Sequence, residues 1–196
     1  PAFSFLIQSI IHLPGLRGNP RRQYSKNTTG PKFPGTFDEY HASIIYKWCI
    51  EKENHKKLQT LGKHLMDLGL TWKVEAKGIG DTQVEIKVGR LTSSKRGGSK
   101  DLVNIADVGL GVSQVLPVLV ALLEASPGQL VYLEQPEIHL HPKAQRMLGR
   151  ILAEAANRGV IVVVETHSIL LLREIQTVIA QRSEEHTSEL QSPNTI

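Results

Sequence analysis

The stretch LVYLEQPEIHLHP, residues 130–142, decides the fold class. It begins as an apolar run, reaches Glu134, and continues with Gln135 and Pro136. A short apolar run that ends at turn residues is typical of a strand buried in a parallel sheet. A carboxylate at the end of such a strand is costly to desolvate unless a cation meets it. The stretch therefore predicts a buried strand with a functional tip.

The flanking sequence repeats this alternation of strand and helix. Downstream we predict an amphipathic helix, a second buried strand and another helix, over residues 142–159, 160–166 and 168–180. Upstream we predict a strand and a helix, over residues 101–108 and 116–125. Apolar strands that alternate with helices indicate an α/β fold, in which helices cover both faces of a mostly parallel sheet.

The first half of the chain has a different pattern. We predict a buried strand over residues 3–13, helices over 38–50 and 53–68, and a hairpin with one wet face from TWKVEAK (71–77) and TQVEIKV (82–88). This divides the chain into a strand with a long basic loop, a helical and hairpin segment, a C-terminal lobe, and a tail that we expect to be disordered, over residues 1–37, 38–100, 101–181 and 182–196.

Composition and the two ends bound the class of protein. The sequence contains no run of about 18 apolar residues, so it does not predict a membrane span. The single cysteine, Cys49, excludes an internal disulfide and a cysteine-based zinc cage, and it fits a reducing cytoplasm. RSEEHTSELQS, residues 182–192, resembles a translated sequencing adapter, so we exclude 182–196 as an artefact. That tail and a first residue other than Met favour an internal fragment of a longer protein.

Three polar stretches fall where predicted strands give way to helices. They are GLGVSQ (109–114), EQPE (134–137) and ETHS (165–168). Ligands of open parallel sheets sit at the carboxyl ends of the strands. In this order, the stretches make residues 104–180 resemble the C-terminal half of ABC-type ATPase heads, the AAA-family group that includes SMC-like and OLD-like ATPases. The resemblance implies part of a P-loop NTPase fold.

The same resemblance implies a role for each stretch. LVYLEQPEIHLHP corresponds to the Walker B strand and D-loop, so Glu134 would hold Mg²⁺ through water. His167 would be the switch histidine that contacts the γ-phosphate of ATP. GLGVSQ is a divergent signature segment, in which Gly111, Ser113 and Gln114 would contact ATP held by a second head of a homodimer. Ser113 can instead be a helix N-cap, as can Ser168.

Gln135 stands where hydrolysing relatives usually carry a glutamate, and glutamine cannot act as a base. Three explanations stay open. Gln135 orients the attacking water, as glutamine does in some GTPases; Glu137 supplies the charge; or the head binds ATP as a switch without hydrolysis. The nearby Glu165 can be a partner of His167 or a surface residue.

The phosphate-binding motif G-x-x-x-x-G-K-[ST] is absent from the sequence. We therefore expect ATPase activity only in a longer protein, with a role in DNA repair or phage defence, and little ATP binding by this chain alone. An alternative is a metal-dependent nuclease, whose candidate ligands are Glu134, Glu137, His139 and His141.

The long loop concentrates positive charge, with basic residues Arg17, Arg21, Arg22, Lys26 and Lys32. Such a cluster permits contact with nucleic acid. It can equally be a solvated charged loop, and Arg17 can reach the phosphate site from the end of its strand.

Overall fold

The computed structural model describes residues 9–30, 32–91 and 101–191, without the side chains of 183 and 185–191. Residues 3–8 of the first predicted strand and most of the loop 91–100 lie outside this range. The strands are β1 (Ile11–Leu13), β2 (Tyr24–Ser25), β3 (Val74–Ile79), β4 (Gln83–Gly89), β5 (Leu102–Asn104), β6 (Leu130–Glu134) and β7 (Ile161–Glu165). The α-helices are α1 (His41–Ile50), α2 (His55–Asp67), α3 (Leu110–Glu124), α4 (Pro142–Asn157) and α5 (Ile169–Gln191).

A parallel sheet of order β1-β6-β7 lies at the centre of the C-terminal lobe. The apolar run of residues 130–134 forms its middle strand, as predicted. Leu13 pairs with Leu133, and Glu134 pairs with Glu165 in the register of the sheet. One face is a core of fully buried side chains packed against α3 and α4: Ile11, Leu13, Val131 and Leu133. The α/β class and the parallel sheet are confirmed.

Strand β7 is covered on only one face in the described part of the chain. Ile161 and Val163 are 51% and 44% exposed. Val162 and Val164, on the other face, are half-buried against the core. The prediction of a buried strand is wrong for β7, because it lies at the edge of the described parallel sheet and its residues alternate between exposed and half-buried.

The second sheet is antiparallel, with order β2-β4-β3 and β5 beside β4. The hairpin is confirmed: Val74 and Ala76 of β3 are buried together with Val84, Ile86 and Val88 of β4. The prediction for residues 101–108 is wrong in part, because only Leu102–Asn104 form a strand and it joins this sheet. Asn104 then accepts a hydrogen bond from the Ala106 amide, a turn that ends the strand.

Helices α1 and α2 match the two predicted helices closely. Leu61, Leu65 and Leu68 lie buried on one face of the α2 segment. The chain leaves α2 through Gly69, whose φ of +71° is the left-handed conformation expected after a helix C-terminus. Helix α5 continues through 182–191, where the sequence predicted a disordered tail. None of the described helices combines the length and apolarity that a membrane crossing requires.

Candidate functional site

Glu134 ends β6 with both carboxylate oxygens engaged. Oε1 is 2.8 Å from His12 Nε2, and Oε2 accepts a hydrogen bond of 3.0 Å from the Gly15 amide. The Gly15 N–H, and then His12, hold the pKa of Glu134 below its usual value. The His12 ring also stacks on Tyr132, with centroids 5.2 Å apart. Glu134 is therefore an ionised carboxylate held in one orientation, and its side chain is still 31% exposed.

Arg17 lies beneath this tip, only 5% exposed. Its Nη1 donates to the carbonyls of Pro14 (3.0 Å) and Glu134 (3.2 Å), and its Nη2 donates to the carbonyl of Gln135 (3.3 Å). Burial lowers the Arg17 pKa, and nearby carboxylates, first Asp38 and then Glu137, oppose that shift. Arg17 therefore binds the backbone of the strand tip from inside the protein.

Gln135 and Glu137 connect the tip of β6 to the tip of β7. The Gln135 amide donates to the Glu165 carbonyl at 2.8 Å, and Gln135 has a φ of +44°, a region that side chains other than glycine seldom adopt. Glu137, 8% exposed, accepts hydrogen bonds on Oε1 from Thr166 Oγ1 (2.6 Å) and the His167 amide (3.0 Å). The stretches EQPE and ETHS are thus brought together, as their order in a parallel sheet predicts.

Of the residues at the end of β7 and just after it, Ser168 caps the next helix, whereas Glu165 and His167 are exposed. Ser168 Oγ accepts from the Leu171 amide at 3.1 Å, which confirms its predicted role as the N-cap of α5. The side chain of His167 is exposed. Glu165 is also exposed and accepts a weak hydrogen bond from the Tyr132 hydroxyl at 3.4 Å. Tyr132 and Glu165 lie on the same open face of the sheet as Glu134.

GLGVSQ does not follow a strand of the parallel sheet, contrary to the prediction. Gly109 is the N-cap of α3, so Ser113 lies within the helix and the N-cap alternative for it is wrong. Ser113 is buried and donates to the Leu110 carbonyl. Gln114 is buried too, and its Nε2 donates to the carbonyls of Arg17 (3.2 Å) and Gly18 (3.1 Å). This ties the GLGVSQ segment to the loop under the site.

Gly111 and the HLHP residues lie on the same side of the lobe. A Cβ on Gly111 would lie 3.3 Å from the His139 carbonyl, so the two backbones approach closely. His141 is the N-cap of α4, and Pro142 occupies the first turn as predicted. Among the described residues, no group of three or more His, Cys, Asp or Glu side chains is placed to hold a metal ion. The ligand set of the nuclease alternative is therefore not assembled.

The basic residues of the long loop are largely engaged within the protein. Arg22 makes a bidentate ion pair with Asp107, at 2.6 and 3.1 Å, and Arg21 pairs with Glu39 at 3.4 Å. Lys26 lies over the Tyr46 ring, 5.0 Å from its centroid. These contacts tie the loop to the fold, and the side chains of Arg21 and Arg22 stay largely exposed, so contact with nucleic acid remains a prediction.

His12 is the site residue that sequence reasoning missed, and the hydrogen bonds of Arg17 to the backbone of the strand tip were not predicted. His12 lies in an apolar strand, where a lone histidine carries no motif. Arg17 is the cation of the loop that lies nearest the end of the strand, which predicts that it can reach the site but not that it is buried beneath it.

Comparison with known proteins identifies a family and a set of distant structural relatives. Residues 51–173, more than half of the chain, match the family described as "AAA domain, putative AbiEii toxin, Type IV TA system". No curated protein sequence matches.

Structural relatives include an Smc head bound to the C-terminal winged-helix domain of ScpA, at 12% identity and a TM-score of 0.47, covering 70% of this chain and 43% of that one. A second, from work on ATP-driven dimerisation and DNA-stimulated activation of SMC ATPases, has 13% identity and a TM-score of 0.43, covering 61% and 72%. A third is a Pyrococcus furiosus Smc head with an extended coiled coil, bound to the C-terminal domain of ScpA, at 10% identity and a TM-score of 0.43, covering 62% and 31%. The chain thus spans less than half of the first of these proteins.

Proposed function

The chain belongs to the AAA-domain family described as a putative AbiEii toxin of type IV toxin–antitoxin systems, and from that premise we propose that it is one lobe of an ATPase head. In this proposal the tips of β6 and β7 hold magnesium-bound ATP. The observation that carries the proposal is the direct linkage of the two tips: the Gln135 amide binds the Glu165 carbonyl, and Glu137 binds Thr166 and the His167 amide.

Glu134 is the residue that fits Mg²⁺. It is ionised, fixed by His12 and Gly15, and partly open to solvent. Its oxygens each already accept one hydrogen bond, which favours contact through a metal-bound water over direct ligation. When bound, Mg²⁺ neutralises charge on the phosphate oxygens. Holding the cation on the open side of the sheet is the role that we assign to Glu134.

We assign the γ-phosphate contact to His167 and water orientation to Gln135. A neutral imidazole can donate one N–H to a phosphate oxygen, and the side chain of His167 is exposed. A glutamine side chain can donate to and accept from a water, and fixing that water in line with the phosphate is most of what phosphoryl transfer asks of a protein. Hydrolysis would then be slow, because no base takes the proton.

The GLGVSQ segment can take part through its backbone. Ser113 and Gln114 face inward, whereas Gly109 and Leu110 are exposed at the start of α3. A second head in a homodimer would therefore meet the first helical amides of this segment and Gly111, with the side chains of Ser113 and Gln114 supporting them from below.

The phosphate loop must come from a segment outside this sequence, since the motif is absent. Strand β7 favours such an addition, because its Ile161 face is open in the described part of the chain. The opposite face of β7 borders a cavity of about 370 Å³ between β7, α4 and α5. Apolar side chains line that cavity, among them Leu152, Val162, Val164 and Ile175. The cellular setting, DNA repair or phage defence, rests on the resemblance alone.

A second candidate function is an ATP-gated interaction module that does not hydrolyse, and Gln135 favours it. ATPase rates of a longer protein that includes the upstream coding sequence separate the two. The ATPase proposal expects slow, magnesium-dependent turnover, faster in Gln135→Glu and lost in Glu134→Gln. If the longer protein forms a stable ATP-bound dimer and releases no phosphate, the ATPase proposal is wrong and the gating proposal is favoured. No nucleotide binding by that longer protein would contradict both.

A further inference from the structure

The buried carboxylate of Glu137 supplies the side-chain part of the linkage between the two strand tips. Its Oε1 accepts two hydrogen bonds, from Thr166 Oγ1 at 2.6 Å and from the His167 amide at 3.0 Å. Both donors belong to the turn after β7, whereas Glu137 belongs to the segment after β6. One atom of Glu137 therefore joins the two segments that form the site.

The second oxygen of Glu137 is enclosed. Oε2 has no hydrogen-bond partner in the described part of the chain and is shielded from solvent by the surrounding protein. A general base has to reach the water or hydroxyl whose proton it takes, directly or through one water. Glu137 has Oε1 occupied by two donors and Oε2 enclosed by protein, so its geometry here is that of a structural acceptor.

The contacts continue from Glu137 along the turn. Thr166 Oγ1, which donates to Glu137, also accepts from the Ser168 amide at 3.0 Å. Ser168 Oγ in turn caps α5 and donates to Gln145 Oε1 of α4 at 2.7 Å. His167 lies between these anchored residues, with its backbone held and its side chain exposed.

We propose that Glu137 is a positioning residue, which fixes the turn bearing His167 through the single atom Oε1. The inference rests on the proposed function, since it gives His167 the phosphate contact, and it replaces the earlier alternative that Glu137 supplies a catalytic charge. It adds a side-chain link to the backbone pairing of β6 with β7 and to the hydrogen bond from the Gln135 amide to the Glu165 carbonyl.

The test compares variants that keep or remove the acceptor. In Glu137→Gln the amide oxygen can occupy the position of Oε1 and accept both hydrogen bonds, although the charge is gone. In Glu137→Ala both bonds are lost. Hydrogen exchange of the His167 amide, followed by NMR on the 196-residue chain without nucleotide, reports the bond directly. We expect exchange in Glu137→Ala to be about tenfold faster or more, and in Glu137→Gln to stay within about threefold of the unmodified chain.

A second pair of variants keeps the test decisive if Glu137→Ala does not fold. Thr166→Val removes the hydroxyl that links Glu137 to Ser168, and Thr166→Ser retains it. We expect faster exchange at the Ser168 amide in Thr166→Val and recovery in Thr166→Ser, while amides in the middle of β6 keep their protection in both.

Unchanged exchange at His167 in Glu137→Ala would overturn the proposal, as would equal acceleration in Glu137→Gln and Glu137→Ala, because the charge and not the acceptor would then hold the turn. So would unchanged Ser168 exchange in Thr166→Val. These results are independent of ATP. A longer protein that fails to bind nucleotide while the exchange pattern holds would remove the proposed function and leave the hydrogen-bonded link intact.

Discussion

Replacing Arg17 with alanine tests whether this residue supports the site from within or serves as a surface cation. The guanidinium donates three hydrogen bonds to the backbone carbonyls of Pro14, Glu134 and Gln135. Each half-buried carbonyl that loses its donor costs about 1 kcal/mol of the free energy of unfolding, so the three together cost about 3 kcal/mol. Relief of the buried charge offsets part of this, and the packing lost with the side chain adds to it.

The matched control is Arg21→Ala, a few residues further along the same loop. Arg21 is exposed and makes one ion pair, 3.4 Å from Glu39, a contact worth about 1 kcal/mol or less. The measurement is urea unfolding of both variants beside the unmodified chain. With a slope of about 2 kcal/mol per M, the midpoint of Arg17→Ala should fall by about 1.5 M and that of Arg21→Ala by less than about 0.5 M.

The same hydrogen bonds predict where the urea midpoint of a third variant should lie. Arg17→Lys keeps the charge, but one ammonium group cannot reach all three carbonyls. Its urea midpoint should therefore lie between those of Arg17→Ala and Arg21→Ala. If Arg17→Ala unfolds at the same urea concentration as Arg21→Ala, Arg17 does not hold the strand tip and the reasoning fails.

The remaining predictions concern proton linkage, helix packing and nucleotide affinity. Burial lowers the pKa of His41 to about 4, so the unfolded chain takes up a proton at this residue first as the pH falls below about 6.5. The free energy of unfolding of the unmodified chain, relative to that of His41→Gln, should therefore fall by about 3 kcal/mol from pH 7.5 to pH 4. Parallel pH profiles of the two proteins would refute this. In Gly149→Ala the new Cβ would lie 3.0 Å from the Leu171 carbonyl oxygen, so we expect a loss of about 1–3 kcal/mol in thermal unfolding, against almost none in Gly18→Ala, where that space is open. Isothermal titration of the chain alone should detect no micromolar ATP affinity, because the phosphate loop is missing, and a micromolar Kd would contradict that.

Local sequence patterns predict most helices and strands of this fold, because the formation of these elements depends mainly on residues close together in the chain. The apolar run before Glu134 is long enough to define a strand, and the period-two alternation around Val84 defines the hairpin. The sheet that β5 joins could not be predicted in this way, since its partner β4 is chosen by long-range pairing. The sequence suggests Ser113 as the N-cap of α3, because a serine side chain can accept a hydrogen bond from the helix amides. The helix in fact begins after Gly109, which has no capping side chain.

The site was predictable in outline but not in its supporting contacts. The order of EQPE and ETHS predicts adjacent strand tips, because parallel strands end at one edge of a sheet. The burial of Glu137 depends on Thr166, 29 residues away along the chain, and that of Arg17 depends on carbonyls of the strand tip. No short stretch of sequence encodes either contact.

The most direct test of the central claim is to locate the divalent cation site of this chain. Mn²⁺ is a paramagnetic substitute for Mg²⁺ and broadens the NMR signals of nearby amides. Added together with ATP to a labelled longer protein that includes the upstream coding sequence, it should broaden first the signals around Gly15, Glu134 and His167, and Glu134→Gln should abolish that pattern. Early broadening elsewhere, or a pattern unchanged by Glu134→Gln, would contradict a metal–nucleotide site at these strand tips.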